Sequence, residues 1–203
     1  MADVDDVDWE EVGEGVFRGR FEPCDVTVTA VVGSEGVAVV DTRCSLAEAR
    51  EIKTLLRRLT PAPVRWVVNT HAHFDHCWGN AEFVEPRLVP SARIWGHESL
   101  AARLDPAEER LVARRARLVA EGPEWARKDA ELEFAAPTDL VTDSAVIDLG
   151  DRALELCHLG RGHTDGDLWI LVSAAAAGGA RTPSRWSGPG RWSARWARST
   201  RTR

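Results

Sequence analysis

Apolar runs separated by turn residues predict strands in the first part of the chain. The runs rich in valine and phenylalanine are Gly15 to Phe21, Val26 to Val32 and Val37 to Val40. Pro23 lies between the first two, and Gly33-Ser34-Glu35-Gly36 lies between the last two. This pattern is typical of a hairpin meander, so we expect it to build a first sheet.

A helix and a further strand are predicted next. Apolar residues recur at helical spacing from Ile52 to Leu59, Ser45 precedes them as an N-cap, and Pro61 ends the pattern. A strand is predicted at Trp66 to Asn69, and a polar segment directly follows it. We therefore expect functional residues in a loop at this strand end.

The pattern changes after residue 90. Between Ser91 and Lys128, arginine and glutamate accompany leucines at seven-residue spacing, which predicts an amphipathic helical insert at about 91–128. Three later runs predict strands of a second sheet: Ala145 to Leu149, Ala153 to Cys157 and Leu168 to Val172. One domain is expected over 1–172.

Half of the histidines lie in one short segment after the strand at Trp66. His71, His73 and His76 are three of the six histidines, and Asp75 stands among them. In an extended chain, residues two apart face the same side, so His71 and His73 can bind one metal ion together. Asp75 and His76 then point elsewhere and offer ligands for a second ion.

This segment, His71-Ala72-His73-Phe74-Asp75-His76, resembles the His-x-His-x-Asp-His signature of the metallo-β-lactamase superfamily. Gly160-Arg161-Gly162-His163-Thr164 is similar to the next histidine loop of that family, and Val39-Val40-Asp41-Thr42 is similar to its strand that ends in an aspartate. The resemblance covers about residues 12 to 172. It implies an α+β protein with an αββα sandwich, which holds metals in loops at one edge of the two sheets.

The same resemblance implies a zinc site and the role of each residue in it. His71, His73 and His163 would hold a first zinc ion, and Asp75 and His76 would hold a second. Asp75 is the implied catalytic residue, because it would also orient the attacking water. The activity implied is hydrolysis of an ester, thioester, lactone or similar bond in a small-molecule substrate, and no substrate-binding residue is identified.

Two other aspartates are implied to orient the ligands. Asp41 and Asp167 would hydrogen-bond around the metal loops without touching metal. The family supplies a bridging aspartate and a final histidine after its third histidine, whereas here the last histidine is His163 and the last acid is Asp167. We therefore expect a sandwich that is incomplete at its C-terminal end and one bound zinc ion instead of two.

Residues 173–203 have a different composition and leave two alternative functions open. From Arg181 onward this tail carries seven arginines and no acid, and its tryptophan, serine, glycine and proline are typical of disorder. Arginine far outnumbers lysine, which is consistent with GC-rich DNA read out of frame. One alternative is therefore a catalytically defective, truncated remnant, and the other is a basic-tailed nucleic-acid-binding module.

Charge and hydropathy limit the partners. The whole chain carries −6 and the tail +7, so the residues before the tail carry −13, which argues against a general nucleic-acid surface. Neither a secretory signal nor a membrane span is apparent, so a cytoplasmic location is expected. A homodimer that covers apolar surface of the second sheet is a further expectation.

Other residues near these motifs have less specific signals. Trp95, His97 and Trp125 are candidates for lining the pocket if the insert forms a lid. Structural hydrogen bonding is the preferred interpretation of His97 and His158. Cys77 is expected to pack inward as a small apolar side chain.

Overall fold

A computed structural model of the chain describes residues 7–84 and 91–174. Its first four strands are β1 (Glu10–Gly13), β2 (Val16–Phe21), β3 (Val26–Gly33) and β4 (Gly36–Val40). They pair antiparallel in chain order, so the predicted meander is confirmed. The apolar pattern did not predict β1, because all of its residues are exposed.

Helix α1 (Leu46–Leu59) lies where the apolar spacing predicts it. The Glu48 amide donates to the Ser45 hydroxyl at 3.3 Å, which satisfies one of the free amides at the helix start. Strand β5 (Val64–Val68) follows and pairs parallel with β4. Beyond β5 lie the short helix α2 (Phe74–Cys77) and a 3-10 turn at Asn80–Phe83.

The structure corrects the start of the predicted helical insert at 91–128. Its first residues form strand β6 (Arg93–His97), which pairs parallel with β5. The elements after it are α3 (Glu98–Arg103), α4 (Glu109–Ala120), α5 (Pro123–Ala130) and strand β7 (Asp139–Val141). Ile94 is fully buried in β6, and a short strand inside a parallel sheet lacks the alternation that would distinguish it from a helix.

The predicted strands of the second sheet are present, with small shifts at their ends. They are β8 (Ser144–Asp148), β9 (Arg152–His158) and β10 (Leu168–Ala174), ordered β10-β9-β8 and antiparallel. Strand β10 continues past the predicted domain end at residue 172. The remainder of the predicted tail, 175–203, lies outside the described residues.

Strand β4 forms the centre of the packing because both of its faces are buried. Val37 and Val39 face the cluster that includes α1, whereas Ala38 and Val40 face the second sheet. Burial of each valine contributes roughly 1.5–3 kcal/mol. The layers are thus helix, first sheet and second sheet, and the α+β sandwich expected from the sequence is confirmed.

Strand β10 presents large apolar side chains to solvent. Trp169 is 62% exposed and Leu171 is 58% exposed, while Leu168 between the sheets is buried. The expected homodimer that would cover this face stays a prediction. Within 7–84 and 91–174, no helix has both the length and the apolar character needed to cross a bilayer.

Two loops beside the histidine segment approach each other backbone to backbone. Thr42 donates its amide to the His76 carbonyl at 2.9 Å, and Gly79 donates to the Arg43 carbonyl at 3.2 Å. A Cβ atom at Gly79 would lie 2.1 Å from the Thr42 carbonyl oxygen, far inside contact distance. Glycine at this position therefore allows the chain after β4 to support the histidine segment.

We expect Gly79→Ala to lower the free energy of unfolding by roughly 1–3 kcal/mol, because two backbones must separate to admit the methyl group. Gly13→Ala is the matched control, since its Cβ atom would meet only Val16 atoms at an ordinary 3.8 Å. Urea denaturation of both variants measures the difference. Equal midpoints for the two variants would show that this close approach is not required.

Candidate metal centre

Three histidine side chains converge at one edge of the sandwich. His71 Nε2 lies 3.0 Å from His73 Nδ1, and His163 Nε2 lies 2.9 Å from the same His73 atom. All three nitrogens lie within 4.8 Å of one another. His71 and His73 are half-buried and His163 is exposed, so the group opens to solvent on one side.

The two strands that lead to these histidines belong to different sheets. His71 and His73 follow β5 in an extended segment that ends where α2 begins, so residues two apart face the same point as predicted. His163 comes from the loop between β9 and β10. The Leu168 amide donates to the Thr70 carbonyl at 2.8 Å, which joins the two sheets directly beside the site.

Asp167 holds the His163 loop in shape. Its carboxylate accepts hydrogen bonds from the His163 amide, from the Thr164 amide at 2.9 Å and from the Thr164 hydroxyl. Gly162 is needed for this packing, because a Cβ atom there would lie 2.6 Å from Asp167 Oδ2. Asp167 therefore contacts the loop backbone, and its supporting role at a metal site stays a prediction.

Asp41 is buried beneath the histidine segment and is 2% exposed. It accepts hydrogen bonds from the Thr70 amide and the Thr70 hydroxyl, both at 2.8 Å, and from His76 Nδ1 at 2.7 Å. Its backbone has φ +67°, a strained conformation for a residue other than glycine. The carboxylate thus ties the end of β4 to the segment after β5.

These contacts decide which ring nitrogens of two histidines are free. The Thr70 hydroxyl donates its proton to Asp41, so it accepts from His71 Nδ1, 2.9 Å away. His71 Nε2 is then unprotonated and faces the other histidines. Likewise, Asp41 holds the proton on His76 Nδ1, which leaves Nε2 of neutral His76 able to bind a metal ion.

Asp75 and His76 lie beside the three-histidine group but are not part of it. The His76 ring centre is 4.1 Å from that of His71, and His76 Nε2 is 3.6 Å from Asp75 Oδ2. Asp75 faces a narrow crevice that Cys24 and Cys44 also line. The structure therefore places the predicted second pair of ligands next to the first group, with its two donor atoms facing each other.

Two buried asparagines lock the histidine segment in place. Asn80 donates to Asn69 Oδ1 at 2.8 Å, and Asn69 donates back to Asn80 Oδ1 at 3.0 Å. Asn69 also donates to the His76 carbonyl at 3.1 Å, and the Thr42 hydroxyl donates to Asn80. Both asparagines are fully buried, so this satisfied network fixes the backbone that carries the ligands.

Sequence reasoning assigned no supporting role to Thr70 or to this network. The flanking Asn69-Thr70 and Gly79-Asn80 resemble the surroundings of the family's histidine motif, and that resemblance gave no contacts. The Thr70 hydroxyl can donate to Asp41 only because the pairing of β4 with β5 places Asp41 beneath it. The Asn69–Asn80 pair likewise depends on the fold of the turn between them.

The other histidines are structural, as expected. His97 Nδ1 accepts from the Ser99 amide at 3.2 Å and caps α3, and its ring lies against that of His158 at a 40° tilt, with centres 4.2 Å apart. His158 Nδ1 donates to the Asp167 carbonyl at 3.1 Å. Both residues therefore support the His163 loop from behind.

Of the other residues singled out in the sequence, two lie in the core and one lies next to the histidine segment. Trp95 packs against the cluster between the two sheets and so does not line a pocket under the insert. Trp125 packs edge-on against Phe74, with ring centres 5.8 Å apart, next to the metal loop. Cys77 is 1% exposed, so the prediction that it packs inward is confirmed.

Burial and mutual proximity keep two of the rings neutral. Burial, reinforced by the positive charge of His76, lowers the pKa of His71 to about 4. Burial and the neighbouring His163 also lower the pKa of His73. Burial alone would lower the pKa of His76, but the hydrogen bond and charge of Asp41 outweigh it and raise that pKa above its ordinary value.

The donor set fits a metal ion. Imidazole nitrogens suit zinc and similar divalent metals, and two ligands of one tetrahedral zinc lie about 3.3 Å apart at a Zn–N distance of about 2.05 Å. The observed separations of 3.0 and 2.9 Å are close to that value. Neutral rings are also the form that binds metal, so no proton must leave His71 at neutral pH.

Comparisons with known proteins point to the same family as the histidine motifs. A family model described as the metallo-beta-lactamase superfamily matches residues 21–173. The chain is 29% identical over 177 residues to the acyl-coenzyme A thioesterase MBLAC2 of Bos taurus, which covers 79% of this chain and 60% of that protein. It is 35% identical over 68 residues to the linear primary-alkylsulfatase of Pseudomonas sp. (strain ATCC 19151), covering 32% of this chain and 13% of that protein.

A solved structure shows the same fold. The class B3 di-zinc metallo-beta-lactamase LRA-12 from an Alaskan soil metagenome superposes with a TM-score of 0.60 at 20% identity, covering 87% of this chain and 61% of that chain. At this identity the likeness shows the fold alone. The chain spans only 13% and 60% of the lengths of the two curated relatives named above.

In the metal-free protein we expect His71 to stay neutral until the pH falls to about 4, whereas His76 titrates above its ordinary 6.5. Proton NMR of the ring C2 resonances measures both, with His71→Asn and His76→Asn as assignment controls. A His71 resonance that titrates above that of His76 would contradict the geometry described here.

The two shifts have opposite effects on stability. The folded-state pKa of His71 is below 6.5, so stability present at neutral pH is lost as the pH falls from 6.5 toward 4. The raised pKa of His76 contributes stability below 6.5 that is lost as the pH rises through that pKa. Thermal unfolding midpoints, measured from pH 4 to above pH 6.5, report the sum of these two effects on stability.

Proposed function

Because the chain belongs to the metallo-β-lactamase superfamily, we propose that it is a zinc-dependent hydrolase whose metal is held by His71, His73 and His163. The observation that supports this most directly is the convergence of three imidazole nitrogens, from loops of two different sheets, within 4.8 Å. Three protein ligands leave a fourth position open, which is the arrangement of catalytic zinc sites.

Zinc supplies Lewis acidity at such a site and lowers the pKa of a coordinated water to about 7. Asp75 is the catalytic residue in this proposal, since its carboxylate can orient the attacking water and accept its proton at Oδ2. His76 Nε2 lies 3.6 Å from that oxygen, which is too far for a hydrogen bond but close enough for the charge of a protonated His76 to attract the carboxylate. Asp41 and Asp167 keep the rings and the loop in position.

We propose one zinc ion per chain, as the sequence led us to expect. Among the described residues, the three histidines are the group whose donor atoms lie close enough together for one ion. Asp75 and His76 would need further ligands to hold a second. The alternative of a catalytically defective remnant is separated from an active hydrolase by measuring metal content and turnover together.

The proposed substrates are small molecules with an ester, thioester or lactone bond. A thioester is the first choice for an assay, because one relative is named an acyl-coenzyme A thioesterase. The cytoplasmic location expected from the sequence stays a prediction.

Elemental analysis of the desalted, zinc-loaded protein should find about one zinc per chain, and His73→Ala and His163→Ala should reduce it to near zero. His158→Asn is the matched control: the amide can still donate to the Asp167 carbonyl, which lies 3.1 Å from His158 Nδ1, so zinc should remain bound. Two zinc ions per chain would show that a second site exists and is completed by further ligands. Retention of zinc by both alanine variants would refute the assignment.

The zinc-loaded wild type and His158→Asn should hydrolyse a simple acyl thioester, and the rate should fall at least about 100-fold in Asp75→Asn, because general acid–base groups contribute about 10²–10⁴-fold. Release of free thiol measures the rate. One bound zinc without any turnover of thioester, ester or lactone would favour the defective remnant.

Asp41→Asn should weaken zinc binding by about 10–100-fold while the fold is retained, because the amide cannot accept all three hydrogen bonds that orient Thr70 and His76. Competition with a zinc chelator measures the affinity. Asp139→Asn, which alters an exposed ion pair with Arg93 far from the histidines in sequence, should leave it unchanged. Equal affinities in all three proteins would exclude an orienting role for Asp41.

A further inference from the structure

Helices α3 and α4 bring two arginines against the two metal loops. Arg103 of α3 binds both carboxylate oxygens of Asp165, at 2.9 and 2.7 Å, two residues beyond His163. Arg114 of α4 lies over the Phe74 ring, with its guanidinium carbon 4.8 Å from the ring centre. Phe74 directly follows His73, so each loop is flanked by one guanidinium group.

The two guanidinium groups differ in how their charge is balanced. Asp165 neutralises Arg103, and on α4 itself Arg115 is paired with Asp129 and Arg117 with Glu121. Arg114 has no carboxylate within ion-pair distance in the part of the chain that the structure describes. It is half-buried on an aromatic face, a contact that stabilises the cation without neutralising it.

Arg114 stands beside the loop that carries His71 and His73. Its guanidinium carbon lies 4.8 Å from the centre of the Phe74 ring, and Phe74 directly follows His73. The Phe74 ring beneath Arg114 packs against Trp78 and Trp125, with ring centres 5.4 and 5.8 Å away. A cation without a carboxylate partner among the described residues therefore stands beside the three-histidine group, which is open to solvent on one side.

Resting on the hydrolase function proposed above, we propose that Arg114 binds an oxyanion group of the substrate, such as a carboxylate, sulfate or phosphate, while the scissile bond lies at the three histidines. Guanidinium is suited to this because its planar donors match the two oxygens of such a group. The helical insert then selects anionic substrates, although the body of the protein is acidic.

The test compares two esters that share the same scissile bond. These are 4-nitrophenyl butyrate, which is neutral, and mono-4-nitrophenyl glutarate, which ends in a carboxylate. For the zinc-loaded protein, Arg114→Gln should raise KM for the glutarate ester at least about tenfold, the loss expected for a charge-assisted hydrogen bond, with kcat and the butyrate ester unchanged. Spontaneous hydrolysis is subtracted using samples without protein.

Two variants separate recognition from charge and folding. Arg117→Gln removes the same charge from the same helix, where its partner Glu121 lies 4.0 Å away and both side chains are exposed, so it should behave as wild type. Arg114→Lys keeps the positive charge but loses the planar pair of donors, so it should recover only part of the affinity for the glutarate ester. Circular dichroism melting curves show whether each variant is folded.

A binding measurement keeps this proposal distinct from the hydrolase function. Titration of the zinc-loaded protein with sulfate should shift the Arg114 Nε–H resonance, identified by its absence in Arg114→Lys. Hydrolysis of both esters with the same KM in Arg114→Gln would overturn the role of Arg114 and leave the hydrolase intact. A sulfate-dependent shift without hydrolysis by any variant would support the anion site and overturn the hydrolase; no shift and no difference in KM would overturn the anion site.

Discussion

The hydrogen bonds to Asp41 are the constraint on which the site depends. A buried carboxylate in a strained backbone conformation is costly unless its oxygens are fully paired. Here Thr70 and His76 pair them with three donors, at 2.7 to 2.8 Å. The same bonds fix the proton on the far side of His71 and His76, so the orientation of the ligands and the stability of the strand ends have one cause.

The candidate metal centre also depends on the contact between the two sheets. His71 and His73 follow β5 of the first sheet, whereas His163 precedes β10 of the second. The spacing of the three rings is therefore set by the apolar cluster between the sheets and by the bond from Leu168 to Thr70. Because packed cores resist small displacements, this arrangement holds the donors ready for an ion.

Charge is distributed differently at the site and over the whole protein. The residues before the tail carry −13, because the whole chain carries −6 and the tail +7, yet the helices after β6 place Arg103 and Arg114 against the two metal loops. Local charge, and not net charge, is what a bound group meets at short range. The arginine-rich insert, which the sequence predicts to be an amphipathic helical segment, thus places two positive charges beside the candidate centre.

The sequence by itself determined most of the elements and brought the nearest pair of candidate ligands together. Side-chain alternation and helical spacing are local, so β2 to β5 and α1 could be predicted, and the two-residue spacing of His71 and His73 placed both on one side of the chain. His163 was assigned only by family resemblance. Tertiary structure alone decided that residues 93–97 are a strand, that Asp41 meets Thr70, and that Arg114 lies over Phe74. Each of these depends on packing between segments far apart in the chain, which no local period encodes.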